Sequence, residues 1–360
     1  IVTYFLHFLE KILKGDMMKN KINLSKYNIR TDLIVDVIDN NSNINKETDT
    51  YEGVKITRVE VEKNMEEKLN KKKGTYITIE FDDVTNYEDR EKIGKCFENE
   101  IKKLLDKLNI KDDDDCLIIG LGNEKSTPDA LGPLSIKNIL VTRHLFILNT
   151  NHKEGLRSVS AVIPDVMGNT GIETSDIIKS IVNTIKPKFI ITIDALASSS
   201  INRLNKTIQM TDTGIHPGSG IGNSRKEINK DTIGVPVIAI GVPTVVESSI
   251  IVNDTIKYLL KHISYIKNNF SKSKLTYTKF GNYLDKIKNS DLSTDEKKQI
   301  LGMIGELSEE DKLSLINEVL TSINYNLMVT NTEIDYLILK LSEIIANSLN
   351  NALHRQISHY

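Results

Sequence analysis

Cys116-Leu-Ile-Ile-Gly-Leu-Gly-Asn-Glu-Lys-Ser-Thr-Pro-Asp-Ala-Leu-Gly-Pro133 decides the fold of this chain. The apolar run Leu117 to Leu121 reads as a short buried strand. It breaks at Gly120 and Gly122, crosses a polar turn and restarts as a helix over Asp129–Val141. A strand, a glycine-rich turn and a helix form the unit in which open α/β sheets place their chemistry. Asp129 stands where that helix begins. A second acid, Asp194, closes another apolar strand, Phe189 to Ile193.

Outward from this unit the pattern alternates. Val159 to Ile163 reads as a strand and Ile172 to Ile185 as a helix. Ile208 to Met210 and Val235 to Ile240 are further strands, and Thr244 to Ile266 is a long helix. This alternation predicts an α/β fold, a largely parallel sheet with helices on both faces, phosphorylase/hydrolase-like. Upstream, Leu33 to Ile38 alternates weakly and is expected to be a strand. Val54 to Val61 and Tyr76 to Phe81 alternate strongly and add extra N-terminal strands. Arg90 to Leu108 is an amphipathic helix by its spacing of Ile93, Phe97, Ile101, Leu104, Leu105 and Leu108. From Ser290 onward the chain is helical. Ser293-x-x-Glu296 and Thr330-x-x-Glu333 read as capping boxes, with Ser308-x-x-Asp311 a weaker version.

Composition narrows the function. The chain has 360 residues, 39% hydrophobic and 27% charged, with a formal net charge of -2. These values fit a globular protein and give no bulk electrostatic reason to bind nucleic acid. The two cysteines, Cys96 and Cys116, make no disulfide framework and have no metal-ligand spacing around them, so a reducing, cytoplasmic compartment is expected. No apolar run is long enough to span a bilayer. The start, Ile1 to Leu9, lacks the basic leader and cleavage site of a signal peptide. Lys14-Gly-Asp16 ahead of Met17 and Met18 reads as a translated ribosome-binding sequence. Residues 1–16 are therefore expected to be leader or a disordered extension. The acids Asp112 to Asp115 lack the spacing and glycine of a calcium loop and read as a solvated turn.

Gly120-Leu-Gly-Asn invites a dinucleotide-binding reading, but the third glycine of that fingerprint is replaced by Lys125. Neither a phosphate-binding loop nor a Gly-x-Ser-x-Gly elbow is present. A lone acid near a helix start is more often a cap than a catalyst. The pair shifts that balance, because Asp129 and Asp194 both fall at the carboxyl ends of predicted parallel strands, the edge where such sheets bind ligands. Two carboxylates held close cannot both ionise cheaply, so one keeps its proton while the other serves as base toward water. The expectation is a peptidase with Asp129 and Asp194 as its dyad, and with no cofactor and no resident metal.

Thr211-Asp-Thr-Gly-Ile-His-Pro-Gly-Ser-Gly-Ile-Gly-Asn223 is the second notable loop. Its glycines suit either an anion-binding concavity or a tight turn without a ligand. Gly122, Asn123, His216, Gly218, Ser219 and Gly220 are candidate substrate-binding residues, though His216 reads rather as structural. Arg203, Arg225 and Lys226 flank the loop and are the natural partners for carboxylates of an acidic substrate.

Several long motifs resemble the germination protease family of spore-forming bacteria. They are Gly120 to Pro133, Pro164-Asp-Val-Met-Gly-Asn-Thr-Gly-Ile-Glu-Thr174, Ile193-Asp-Ala-Leu-Ala-Ser198, Thr211 to Asn223 and Gly234-Val-Pro-Val-Ile-Ala-Ile-Gly-Val-Pro-Thr244. Ile29-Arg-Thr-Asp-Leu33, Leu327-Met-Val-Thr330 and Leu349-Asn-Asn-Ala-Leu-His354 extend the likeness from about Lys21 to His354. Asp165 and Ser199 depart from it, standing where glycine and arginine are usual. The resemblance implies a homotetrameric endopeptidase of the forespore and spore core, an atypical aspartic type whose essential acids match Asp129 and Asp194. It implies a zymogen that removes its own N-terminal arm and then degrades small acid-soluble spore proteins, cutting beside glutamate. The expected layout is an arm at 17–30, ending near Tyr27, an α/β peptidase core at 31–289, and a helical segment at 290–360 packed on that core. A more distant likeness is to hydrogenase maturation endopeptidases. The rival readings are a metal-dependent endopeptidase using the same acids with His216, and a non-catalytic binder of acidic peptides.

Overall fold

The computed structural model describes residues 31–38, 44–148, 154–218, 225–269, 287, 290–322 and 327–355. The leader, the 17–30 arm, Ser219 and Gly220 lie outside them. The chain divides into two compact units, one of residues 30–251 with 326–360, the other including residues 252–325.

The first unit is built on one mixed sheet. Its strands are β1 (Lys46–Tyr51), β2 (Val54–Val61), β3 (Gly74–Glu80), β4 (Cys116–Gly120), β5 (Val159–Val162), β6 (Phe189–Ser198), β7 (Thr207–Thr211), β8 (Val237–Glu247) and β9 (Met328–Val329). The order is β1-β2-β3-β7-β8-β6-β4-β5, with β9 paired to the far end of β8. β8, β6, β4 and β5 run parallel. The N-terminal strands join as an antiparallel extension through β7.

Strand periodicity sorts the core into two layers. Cys116, Ile118, Phe189, Ile191 and Ile193 face one side with the helices Tyr87–Lys107 and Ile334–Leu353. Leu117, Ile119, Leu121 and Ile190 face the other, against Ile178 and Val182 of the helix Thr174–Ile185. Helices therefore cover both faces, as alternation predicts. The first face also holds a half-buried ion pair: Glu100 accepts from Arg58 of β2 through both carboxylate oxygens, each at 2.7 Å.

Several elements differ from their expected form. Leu33 to Ile38 is not a strand: Ile34–Ile38 is a short helix. Tertiary partners override its β-branched composition. Ile34 N–H donates to Gln209 at 2.6 Å, and the Asp36 carboxylate accepts from Ser199 N–H and from Arg203. The helix expected over Asp129–Val141 is a 3-10 turn, Thr127–Asp129, followed by Leu131–Ile136.

β6 and β8 both outrun their expected ends. Ala195-Leu-Ala-Ser198 continues β6, and β8 passes through Pro243 to Glu247. The proline is accommodated beside a bulge, where the β6–β8 register shifts between Leu196 and Ala197. Thr330-x-x-Glu333 forms no box, because the Thr330 hydroxyl donates to Thr244 O at 2.7 Å and the helix starts at Ile334. In the second unit Ser293 and Glu296 do form theirs, and Ser308 accepts from Asp311 N–H at 3.1 Å.

Candidate active site

β4 stops at Gly120, paired with Ile193 of β6. Leu121 N–H donates to Ile193 O at 2.8 Å, and there the two strands part. Asp194 is the next residue of β6. Close packing of backbone makes the split possible. A Cβ on Gly132 would meet Leu121 O at 2.3 Å and Ile193 O at 2.5 Å, so only glycine lets the helix Leu131–Ile136 sit against both strand ends.

The turn after β4 folds back on Asp129. Gly122 has φ +105°, and a Cβ there would meet Asp129 O at 2.1 Å. The Asn123 N–H then donates to both Asp129 O (3.1 Å) and Asp129 Oδ2 (2.9 Å). Asn123 thus serves through its backbone. Its side chain caps the turn, accepting from Lys125 N–H at 2.9 Å.

Asp129 and Asp194 line one cavity of about 360 Å³. Asp165, Arg225, His216, Gly218 and Gly122 share its wall, with Leu121, Val166, Leu196, Ile215, Val245 and Met328 as its apolar part. Burial raises the pKa of Asp129, opposed by the Asn123 N–H and by the charge of Arg225. Burial also raises that of Asp194, well above the ordinary carboxylate value, and the nearby charge of Asp129 adds to it. The Ala195 N–H donates to Asp194 Oδ1 at 2.9 Å and works the other way.

The remaining candidates divide. Of the three flanking cations, Arg225 alone lines the cavity among the described residues. Arg203 instead anchors the helix Ile34–Ile38, pairing with Asp36 at 2.5 Å and with Glu80 at 3.1 Å. Lys226 is exposed and pairs with Asp176 at 3.0 Å. The glycine loop is closed at its base by an Ile215–Ile228 bridge. Beyond it His216 Nδ1 lies 3.9 Å from Glu227, while Nε2 has no hydrogen-bond partner among the described residues.

Two cavity acids were not among the candidates. Asp165 follows β5 as Asp129 follows β4, while Asp194 lies within β6, just past the point where β4 leaves it; the Pro-Asp turn was the available signal for Asp165. Asp32 reaches the cavity from the far N-terminus, which no local pattern reveals. Among the described residues no three His, Cys, Asp or Glu side chains are grouped to hold a metal ion, and no helix is long and apolar enough to cross a membrane.

Carboxylates gathered where parallel strands part, in a cavity with a largely apolar wall, are the arrangement in which open α/β sheets place ligand sites. The comparisons with known proteins specify the class. A family model described as germination protease matches residues 30–360. The germination protease of Bacillus subtilis (strain 168) is 46% identical over 360 residues, covering 95% of this chain and 98% of the relative. That of Priestia megaterium is 45% identical, covering 94% and 97%. Among solved structures, a [NiFe] hydrogenase maturation protease from Thermococcus kodakarensis aligns with 40% of this chain and 80% of its own, at 14% identity and a TM-score of 0.26. The chain belongs to the germination protease family, and it is accordingly a peptidase.

Proposed function

We propose that this chain is the endopeptidase that opens the degradation of small acid-soluble spore proteins during germination, using Asp129 and Asp194 as an unequal pair. The observation that carries this reading is their shared cavity with unequal burial, which raises both carboxyls and Asp194 the further, with the charge of Asp129 adding to it. Asp194 is the deeper acid and holds the proton. Asp129, supported by the Asn123 N–H and by Arg225, is the carboxylate.

In the step this supports, Asp129 takes a proton from a water whose oxygen attacks the peptide carbonyl carbon. The resulting oxyanion accepts a hydrogen bond from the Asp194 carboxyl. Collapse of the tetrahedral intermediate then breaks the C–N bond, as the leaving nitrogen receives a proton from the acid partner. Arg225 supplies a cation for an acidic substrate side chain, and the apolar wall suits the residue after the bond. The chain is made as a zymogen that removes its own N-terminal arm, assembles as a homotetramer and works in the spore core.

Incubating the protein with a short peptide bearing one Glu–apolar bond, followed by mass spectrometry, tests the reading. Cleavage beside the glutamate is the expected result. Saturable binding without cleavage would make the chain a binder of acidic peptides instead.

A further inference from the structure

β6 runs on after β4 has stopped. From Asp194 to Ser198 it keeps β8 on one side, while Asp194 to Ala197 line the cavity. Backbone groups of alternate residues point to the same side of a strand. Ile193 O is used toward the β4 side, by Leu121 N–H, and Ala197 O accepts from Asp32 N–H at 3.0 Å. The Ala195 groups, between them in that alternation, face the same way. The Ala195 N–H is taken by the Asp194 carboxylate, which leaves the Ala195 carbonyl as the edge acceptor without a donor among the described residues.

At Ala197 a piece of this chain shows what such an edge accepts. Asp32 donates its N–H to Ala197 O, and its carboxylate accepts from Ala197 N–H at 2.9 Å. One acidic residue thus satisfies both backbone groups. Lys71 and Gln209 fix its carbonyl, donating to Asp32 O at 2.9 Å and 3.0 Å. Arg225 stands in the same cavity wall as a further complement to negative charge.

We infer that the edge of β6 past the end of β4, at Ala195 and Ala197, binds the substrate as an added strand. The occupant is an extended acidic peptide whose N–H groups bond the Ala195 and Ala197 carbonyls and whose carboxylate takes the Ala197 amide, displacing Asp32. Strand addition to an exposed edge draws affinity from the main chain and specificity from alternate side-chain pockets. It lays the peptide across Asp194, whose own carboxylate rests on the same edge. The inference rests on the peptidase reading and names the form in which that site takes its substrate.

The test uses the full chain and a labelled peptide with one glutamate followed by an apolar residue, methylated in turn at each backbone nitrogen. Anisotropy reads binding, and mass spectrometry reads cleavage. Binding is expected to weaken about tenfold, the worth of one hydrogen bond, at alternate positions and to hold between them. Ala197→Pro, which removes the edge N–H, should weaken binding of the unmethylated peptide similarly, with its melting temperature checking the fold. Asp32→Ala, which vacates the seat, should tighten it. Uniform sensitivity along the peptide, or no saturable binding even in Asp32→Ala, overturns the inference. Alternating binding without any cleavage leaves strand docking standing and removes the catalytic reading; cleavage without alternation does the reverse.

Discussion

The charge of Asp129 is second only to burial in raising the pKa of Asp194, and the two side chains line one cavity. They meet because β4 ends at the residue paired with Ile193. The turn after β4 carries Asp129 back toward the strand that continues into Asp194.

This relationship has a stability consequence with a definite sign. A carboxyl whose pKa is raised by folding binds more protons in the native chain than in the unfolded one. Stability therefore falls as pH rises from the ordinary value of 3.8 through the raised one. Asn at 194 never ionises, so Asp194→Asn should melt higher than the parent chain at pH 7. The gap should close toward pH 4 and vanish below it. Melting curves across that range check this; a gap independent of pH would contradict it.

Gly132→Ala should destabilise by about 3 kcal/mol or more, since its Cβ has only the Leu121 and Ile193 backbones to meet. Gly168→Ala, where nothing lies within 4 Å, is the control and should be close to neutral. Denaturant unfolding of both variants makes the comparison. Equal midpoints would mean that the helix Leu131–Ile136 does not rest on the strand ends as described.

Arg203 and Arg225 should separate cleanly. Arg203→Met breaks a pair with the fully buried Asp36 side chain and should cost about 3–5 kcal/mol of stability, leaving KM for an acidic peptide unchanged in the folded fraction. Arg225→Gln should do the opposite, raising KM about tenfold with a modest change in melting temperature. Steady-state kinetics beside thermal denaturation of each variant would show the reverse pattern if the roles were exchanged.

How legible the site was follows from how local its signals were. The β4 turn, with Gly122, Asn123 and Asp129, is written in one stretch, and Phe189 to Asp194 in another. Their meeting follows from parallel-strand logic alone. The extension of β6 through Ala195 to Ser198 was not legible, because Ala, Leu and Ser carry little strand propensity and its pairing comes from β8. Asp32 depends on contacts with Ala197, Lys71 and Gln209, all distant in sequence. Arg203 looked like Arg225 because proximity in sequence does not say which guanidinium has buried acids waiting for it. The strand reading of Leu33 to Ile38 failed for the same reason, since Asp36 and Gln209 dictate a helical turn that its Ile and Val residues do not favour.

The dyad itself is tested most directly by the cleavage rate of a Glu–apolar peptide with Asp129→Asn and Asp194→Asn, each shown to fold by its melting curve. A loss of at least about 10²-fold in kcat is expected for each single variant, the scale of positioned acid–base catalysis. Either variant turning over near the parent rate would contradict it.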